Sequence, residues 1–282
     1  DDFGEVYYFA GNPTDNWFYF GGYYWRIVRI NGDGSIRLIY NGTSTKQTED
    51  STMIDISQEF NSSYKDNMYV GYMYKSGQVH GLTTNSSIKT ALDNWYLSNL
   101  ADEADYLDGN AGFCGDRYPS TSESSSNGSG GTGTTRTYYG AYIRLISSKN
   151  PSFKCTDSQD LYTTPGSSKG NGALKVTPSD NDSTATPIGL ITADEVAFAG
   201  GVAGSNNTSY YLYNNAYYLT MSPYNFNGST AYVFAVSGDG DLFNHDVDFT
   251  LGVRPVINLK SAIAITGSGT TSDPFSVVGL KS

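Results

Sequence analysis

Runs of apolar residues at strand spacing dominate the first forty positions of the chain. Aromatic and β-branched runs at 6–10, 17–20 and 23–30 predict strands, and Asn31-Gly-Asp-Gly34 separates the third run from another at 35–40. Asn-Gly and Asp-Gly supply the positive φ angles that tight hairpin turns need. The segment 23–40 is therefore predicted to be a β-hairpin, and its two apolar faces indicate a central one.

In two segments the apolar residues recur at the spacing of an α-helix instead. One runs from Ser86, a residue suited to an N-cap, to Leu100, with Ile88, Leu92, Trp95 and Leu100 on one face. The other, 192–200, opens with a capping box and ends at a Gly-Gly pair. The acidic pair Asp194-Glu195 lies in its first turn, which favours stabilisation of the helix dipole over acid–base chemistry.

Between these helices the pattern weakens. Residues 120–135 are rich in Ser, Gly and Thr and predict a flexible loop, 138–146 predicts a strand, and 156–186 has little pattern. We predict one domain over 1–282 with a flexible insertion at about 118–187. The last third predicts strands at 210–213, 217–222, 231–236, 241–243 and 252–259, and a final hairpin around 267–274.

Composition favours an exported binding protein over a nucleic-acid-binding one. The 24 Tyr and 13 Phe can build a core, while only 16% of residues are charged. The net charge of −11 repels phosphate backbones, so no nucleic-acid partner is expected, and the charge is best explained by solubility. The chain has no run long enough to span a bilayer and opens with Asp1-Asp2 rather than Met, so we interpret it as a mature or trimmed chain from which any anchor or export signal has been removed.

Cys114 and Cys155 flank the region of weak pattern. A disulfide between them would close a long loop and imply an oxidising compartment, whereas the alternative is two buried thiols. Two cysteines without a nearby His do not predict a metal site.

Signs of catalysis are sparse, so we predict that the chain is not an enzyme and uses no cofactor. Its only histidines, His80 and His245, have no nucleophile or carboxylate at a recognisable spacing. The Gly-Asp-Gly pieces resemble fragments of calcium loops but lack the later Glu, so turns explain them better. A hydrolase using a carboxylate pair, for which Asp246 and Asp248 are candidates, remains open.

One stretch differs from the rest. Residues 222–259 contain no Lys, Glu, Gln, Met or Trp, and 243–251 mixes Asn, Asp, His, Phe and Thr without a strand or helix period. Rigid aromatic side chains among short polar ones are typical of recognition surfaces. The alternative is an ordinary surface loop whose Phe243 and Phe249 lie in the core.

The segments 23–34, 188–197, 220–223 and 252–259, the last reading Gly-Val-Arg-Pro-Val-Ile-Asn-Leu, resemble surface proteins of gut Gram-positive bacteria. The C-terminal organisation is similar to C-type-lectin-fold variable proteins that diversity-generating retroelements target. This resemblance implies an α+β fold of C-type-lectin type, with small twisted antiparallel sheets, two helices and long loop insertions. Mutation of adenines in AAC codons cannot yield the five residue types missing from 222–259.

The resemblance also implies an adhesin-like protein at a cell surface or on a pilus, attached through an N-terminal pilin-like or membrane-anchoring segment that this sequence does not include. Its partner would be a protein or glycan on a host, bacterial or phage surface. The calcium signature of mammalian lectins is absent from the chain. The predicted contact face comprises Tyr224, Asn225, Asn227, Asp241, Phe243, Asn244, His245, Asp246, Asp248, Phe249 and Thr250. Trp25, Gly252 and Arg254 are predicted to be structural, with Arg254 meeting a buried acceptor. A structural pilus or surface-layer subunit is the alternative.

Overall fold

The computed structural model describes residues 1–120 and 130–280. The strands of the first half are β1 Tyr7–Tyr8, β2 Trp17–Phe20, β3 Tyr23–Ile30, β4 Ile36–Tyr40, β5 Asp55–Glu59, β6 Met73–Tyr74, β7 Thr84–Asn85 and β8 Phe113–Cys114. The second half adds β9 Thr137–Tyr138, β10 Leu161–Tyr162, β11 Tyr218–Phe226, β12 Ala231–Val236, β13 Leu242–Asp246, β14 Thr250–Val253, β15 Val256–Leu259, β16 Ile265–Thr266 and β17 Phe275–Val277.

Helices are few, and the two predicted ones are present. The α-helices of the described ranges are α1 Ser87–Asn99, α2 Gly140–Tyr142 and α3 Ala193–Ala199. Ser86 caps α1 by accepting the backbone N–H of Lys89, and Thr192 and Glu195 form the capping box of α3. The shorter helical turns are the 3-10 segments Glu49–Thr52, Asn67–Val70, Ala101–Tyr106 and Ser158–Asp160 and the π-helical turn Ile143–Ser147, which continues α2. The protein is thus a mixed α+β structure, mostly sheet.

The N-terminal half of the chain forms most of the first sheet. Its strands lie in the order β15-β4-β3-β2-β17-β16, with β1 also paired to β3. The predicted hairpin of β3 and β4 is confirmed: Asn31 donates its backbone N–H to the carbonyl of Ser35 across the turn, and Gly34 has a φ of 85°. The predicted C-terminal hairpin is confirmed as β16 and β17.

A second sheet carries the C-terminal region. Its order is β13-β12-β11-β14-β5, with β9 also paired to β11, and β11 runs parallel to β14. The strand predicted at 252–259 is in fact two strands, β14 in the second sheet and β15 in the first. Arg254 and Pro255 connect β14 to β15, and we call this pair the crossing between the two sheets. Pro255 ends the strand pairing here because it has no N–H to donate to a neighbouring strand.

The secondary structure predicted for three further segments was wrong. The run 138–146 is mostly helical, with Tyr139, Ala141 and Leu145 buried, because a short apolar run does not distinguish a buried helix from a strand. The run 210–213 is a turn, in which Tyr213 donates its backbone N–H to the carbonyl of Tyr210. The segment 243–251, predicted to be irregular, contains most of β13.

The predicted insertion at about 118–187 contributes to the core. Cys114 and Cys155 form the predicted disulfide, and β10 pairs with β8 beside it. Tyr139 and Tyr162 from this segment are buried in a hydrophobic cluster to which both sheets contribute. Residues 121–129 of the predicted flexible loop lie outside the described residues. Across residues 1–120 and 130–280, no helix has the length and apolar character needed to cross a bilayer.

Candidate functional site

The predicted contact residues lie around the β12–β13 hairpin, at one edge of the second sheet. β13 forms because it pairs with β12 over its whole length, from Leu242 opposite Val236 to Asp246 opposite Tyr232. Asn, Asp and His have low strand preference by themselves, so the pairing decides the conformation. The hairpin turn needs Gly240, which has a φ of 78° and whose added Cβ would lie 1.9 Å from the carbonyl oxygen of Asn207.

Strand alternation divides the predicted residues of β13 between two faces. Asn244 lies on the face of Leu242 and Asp246, whereas Phe243 and His245 lie on the opposite face. The predicted contact residues therefore do not form one continuous surface.

An aromatic strip occupies the face of Phe243. We define it as Tyr217, Phe243, His245 and Phe249. The ring of Phe243 meets Tyr217 and His245 edge-on at 5.7 and 5.8 Å between centroids, and His245 stacks on Phe249 at 4.1 Å with 22° between the planes. Tyr217 is 49% and Phe249 is 52% exposed, so both rings present area to solvent.

Two features of the aromatic strip were hidden from sequence reasoning. Tyr217 was not among the predicted contact residues, because it precedes β11 and only the tertiary fold places it beside Phe243. Among the described residues, no group forms a hydrogen bond with the buried Nδ1 atom of His245. Such orphaned polar atoms are uncommon inside proteins and carry a free-energy cost of about 1–3 kcal/mol.

Tyr224 belongs to a different group, a tyrosine cluster made of Tyr138, Tyr142 and Tyr224. The rings of Tyr138 and Tyr142 lie 4.5 Å apart, and Tyr224 meets Tyr142 at 4.9 Å. Tyr224 also packs on the buried ring of Phe234 at 4.8 Å. Burial, followed by the neighbouring phenols, raises the pKa of Tyr224 above its usual value, which keeps its hydroxyl protonated.

Three predicted contact residues are engaged within the fold, by burial or by hydrogen bonds in turns. Asn225 is buried and offers little area to a partner. Asn227 accepts the backbone N–H groups of Ser229 and Thr230, both at 2.9 Å, and thereby forms the β11–β12 turn. Asp241 accepts the hydroxyl of Ser237 within the next turn.

The remaining predicted residues keep accessible polar groups. Asn244 and Thr250 are exposed, and Asp246 and Asp248 are half-buried. Among the residues described, neither of these carboxylates takes part in an ion pair. They are therefore available to hydrogen-bond donors of a partner.

The predicted structural residues are built into the scaffold that supports the hairpin. The Nε1 of Trp25 donates to the carbonyl of Phe20 inside the core. A Cβ on Gly252 would lie 2.7 Å from the carbonyl oxygen of Tyr217, so only glycine allows this close pairing of β14 with the start of β11. The buried guanidinium of Arg254 donates to Tyr40 O, Leu212 O and Asn41 Oδ1 at 3.2, 2.9 and 2.8 Å.

His80 has acidic neighbours that the sequence did not reveal. Its Nδ1 lies 2.8 Å from Asp160 Oδ1, and its Nε2 lies 3.7 Å from Asp157 Oδ2. The hydrogen bond with Asp160 raises the pKa of His80. Both ring nitrogens thus face carboxylates, which is the geometry of an ion pair rather than that of a base beside a nucleophile. In the described part of the chain, no group of three or more His, Cys, Asp or Glu side chains could hold a metal ion.

Comparison of the chain with models of protein families, with curated proteins and with solved structures found no match in any of the three.

Proposed function

We propose that the chain is an extracellular, adhesin-like ligand-binding protein whose contact surface is centred on the aromatic strip. The observation that carries this proposal is that the half-exposed rings of Tyr217 and Phe249 pack on Phe243 and His245, which lie on a strand paired along its whole length. Aromatic side chains that are already held in place lose little conformational entropy on binding, so their apolar area contributes to affinity.

The polar neighbours of the aromatic strip suit the same role. Thr250 is exposed at the start of β14, and Asp248 lies in the turn just before Phe249. Short polar groups beside aromatic anchors supply hydrogen bonds that adapt to a partner. The absence of Lys, Glu, Gln, Met and Trp from 222–259 supports the finer proposal of a diversified surface on a C-type-lectin scaffold.

The Cys114–Cys155 disulfide supports the proposed location outside the cell or on its surface, because disulfides persist in oxidising compartments. The partner is proposed to be a protein or glycan on a host, bacterial or phage surface.

The test compares the chain with its variant Phe243→Ala/Phe249→Ala. Fluorescently labelled protein is applied to panels of bacterial cells, host epithelial cells and mucin, and binding is measured by flow cytometry or plate fluorescence. We expect the variant to lose the binding that the unaltered chain shows. Since both rings are partly solvated, each truncation should reduce the free energy of unfolding by only about 1–2 kcal/mol.

Tyr7→Ala is the matched control, since Tyr7 is a 66% exposed aromatic residue on the first sheet. It should leave binding unchanged. Equal binding by the double variant would refute the proposed surface. Concentration-dependent assembly in analytical ultracentrifugation that the double variant abolishes would instead favour a structural subunit that packs against copies of itself.

A further inference from the structure

A pocket lies on the first sheet, away from the β12–β13 hairpin. Its volume is about 480 Å³, and it lies between the β2–β3 hairpin and the strand β17. Binding pockets for small ligands usually have volumes of about 300–1,000 Å³. This pocket can therefore hold a ligand of one or two sugar rings.

The floor of the pocket is a fixed aromatic pair. Tyr19 and Tyr24 are direct cross-strand neighbours, and their ring centroids lie 5.0 Å apart at an interplanar angle of 61°. Tyr19 is also paired to Ser276 of β17 on its other side. Both tyrosines are half-buried, so each is held by the sheet while part of its ring stays open to the pocket.

The polar side chains that line the rest of the pocket carry hydroxyl or carboxylate groups. Glu103, Thr43 and Ser276 line the pocket, and of the described residues that line it none is basic. Glu103 takes part in no ion pair within the described ranges. Among the described residues that line the pocket, Glu103 supplies a carboxylate that no basic side chain faces, which disfavours anionic ligands and favours donors of hydrogen bonds.

The backbone around the pocket excludes one other class of ligand. A peptide that binds by extending a sheet needs an unpaired strand edge. β2 lies between β3 and β17, and β17 lies between β2 and β16, so neither strand offers a free edge here.

We propose that this pocket is a second binding site, specific for a neutral sugar. One face of a pyranose ring, which presents C–H groups, would stack on one of the two tyrosine rings, and the other ring, inclined at 61° to the first, would contact the edge of the sugar. Its hydroxyl groups would donate to the carboxylate of Glu103 and exchange hydrogen bonds with Thr43 and Ser276. The site does not depend on the aromatic strip, which belongs to the other sheet.

The experiment titrates the whole chain with the methyl glycosides of glucose, galactose, mannose and N-acetylglucosamine and with lactose and cellobiose. Binding is measured by calorimetry and by saturation-transfer NMR up to the solubility-limited millimolar range, and methyl glucuronide serves as the anionic comparison. We expect at least one neutral sugar to bind and the glucuronide to bind more weakly. No saturable binding of any neutral sugar would overturn the proposal.

Two variants locate the site. Glu103→Gln keeps the shape of a side chain that forms no ion pair, and it should weaken sugar binding about tenfold because the charge-assisted hydrogen bond is lost. Ser276→Phe places a ring in the pocket and should abolish binding, with circular dichroism used to confirm that the variant is folded. Unchanged affinity in Glu103→Gln would refute the site even if Ser276→Phe does not fold.

Phe243→Ala/Phe249→Ala separates this site from the aromatic strip. It should leave sugar affinity unchanged while it removes binding to cell surfaces. Loss of sugar binding in this variant would place the sugar at the aromatic strip and overturn the second site. Retained sugar binding with unchanged cell binding would refute only the proposed function.

Discussion

Replacement of Arg254 by lysine tests how the crossing between the two sheets is held together. Its guanidinium is buried, and no carboxylate in the described ranges pairs with it. Burial lowers its pKa, whereas hydrogen bonds to Tyr40 O, Leu212 O and Asn41 Oδ1 and the ring of Tyr218, 5.1 Å away, favour the charged form. A planar guanidinium can reach three acceptors from separate segments, whereas an ammonium on a flexible chain cannot.

The expected loss in the free energy of unfolding follows from the number of hydrogen bonds that the lysine cannot make. If the lysine keeps one of the three, two acceptors lose a charged donor, at about 1–3 kcal/mol each, so the free energy of unfolding should fall by about 2–6 kcal/mol. At about 2 °C per kcal/mol for a chain of this length, the melting temperature should fall by about 4–12 °C. Arg254→Met should destabilise less than Arg254→Lys, because methionine leaves no buried charge to desolvate.

The assay is urea unfolding followed by tryptophan fluorescence, supported by calorimetry. Arg136→Lys is the matched control, since Arg136 is exposed, and its effect should stay within about 0.5 kcal/mol. A lysine variant as stable as the unaltered chain would show that the bonds of the guanidinium do not hold the crossing. A methionine variant less stable than the lysine variant would show that the charge itself is stabilising.

Two further predictions concern stability. Cys114→Ser/Cys155→Ser should lower the free energy of unfolding by about 4 kcal/mol on the chain-entropy account, because the disulfide spans 41 residues, and a chemical reductant should remove this difference in denaturant unfolding. The raised pKa of His80 means that its charge stabilises the folded chain fully below the unfolded pKa of about 6.5, and that this contribution is lost as pH rises through the higher folded value. His80→Gln should therefore lose most stability near pH 5 and little at alkaline pH, as measured by urea unfolding across pH, and an equal loss at every pH would contradict this assignment.

Part of the candidate site could be predicted from composition. The unusual residue content of 222–259 identified the region, and Phe249, Asn244 and Thr250 are exposed there. Individual positions could not be assigned, because the segment has no period of its own and its strand exists only through pairing with β12. The sequence could not show that Asn225 is buried, or that Tyr217 and Phe243 are neighbours.

The amino-acid sequence by itself determined the local structure that a few residues can encode. Asn31-Gly-Asp-Gly34 specified the turn between β3 and β4, Thr192 and Glu195 specified the start of α3, and Cys114 and Cys155 were the only cysteines available to pair. Only the tertiary structure decided that the run 252–259 is divided between two sheets, that 138–146 is helical, and that His80 faces Asp160. The physical reason is the sequence separation of the interacting residues. The hydrogen bonds of helix caps and turns join residues a few positions apart, whereas strand pairing and burial depend on partners that are distant along the chain.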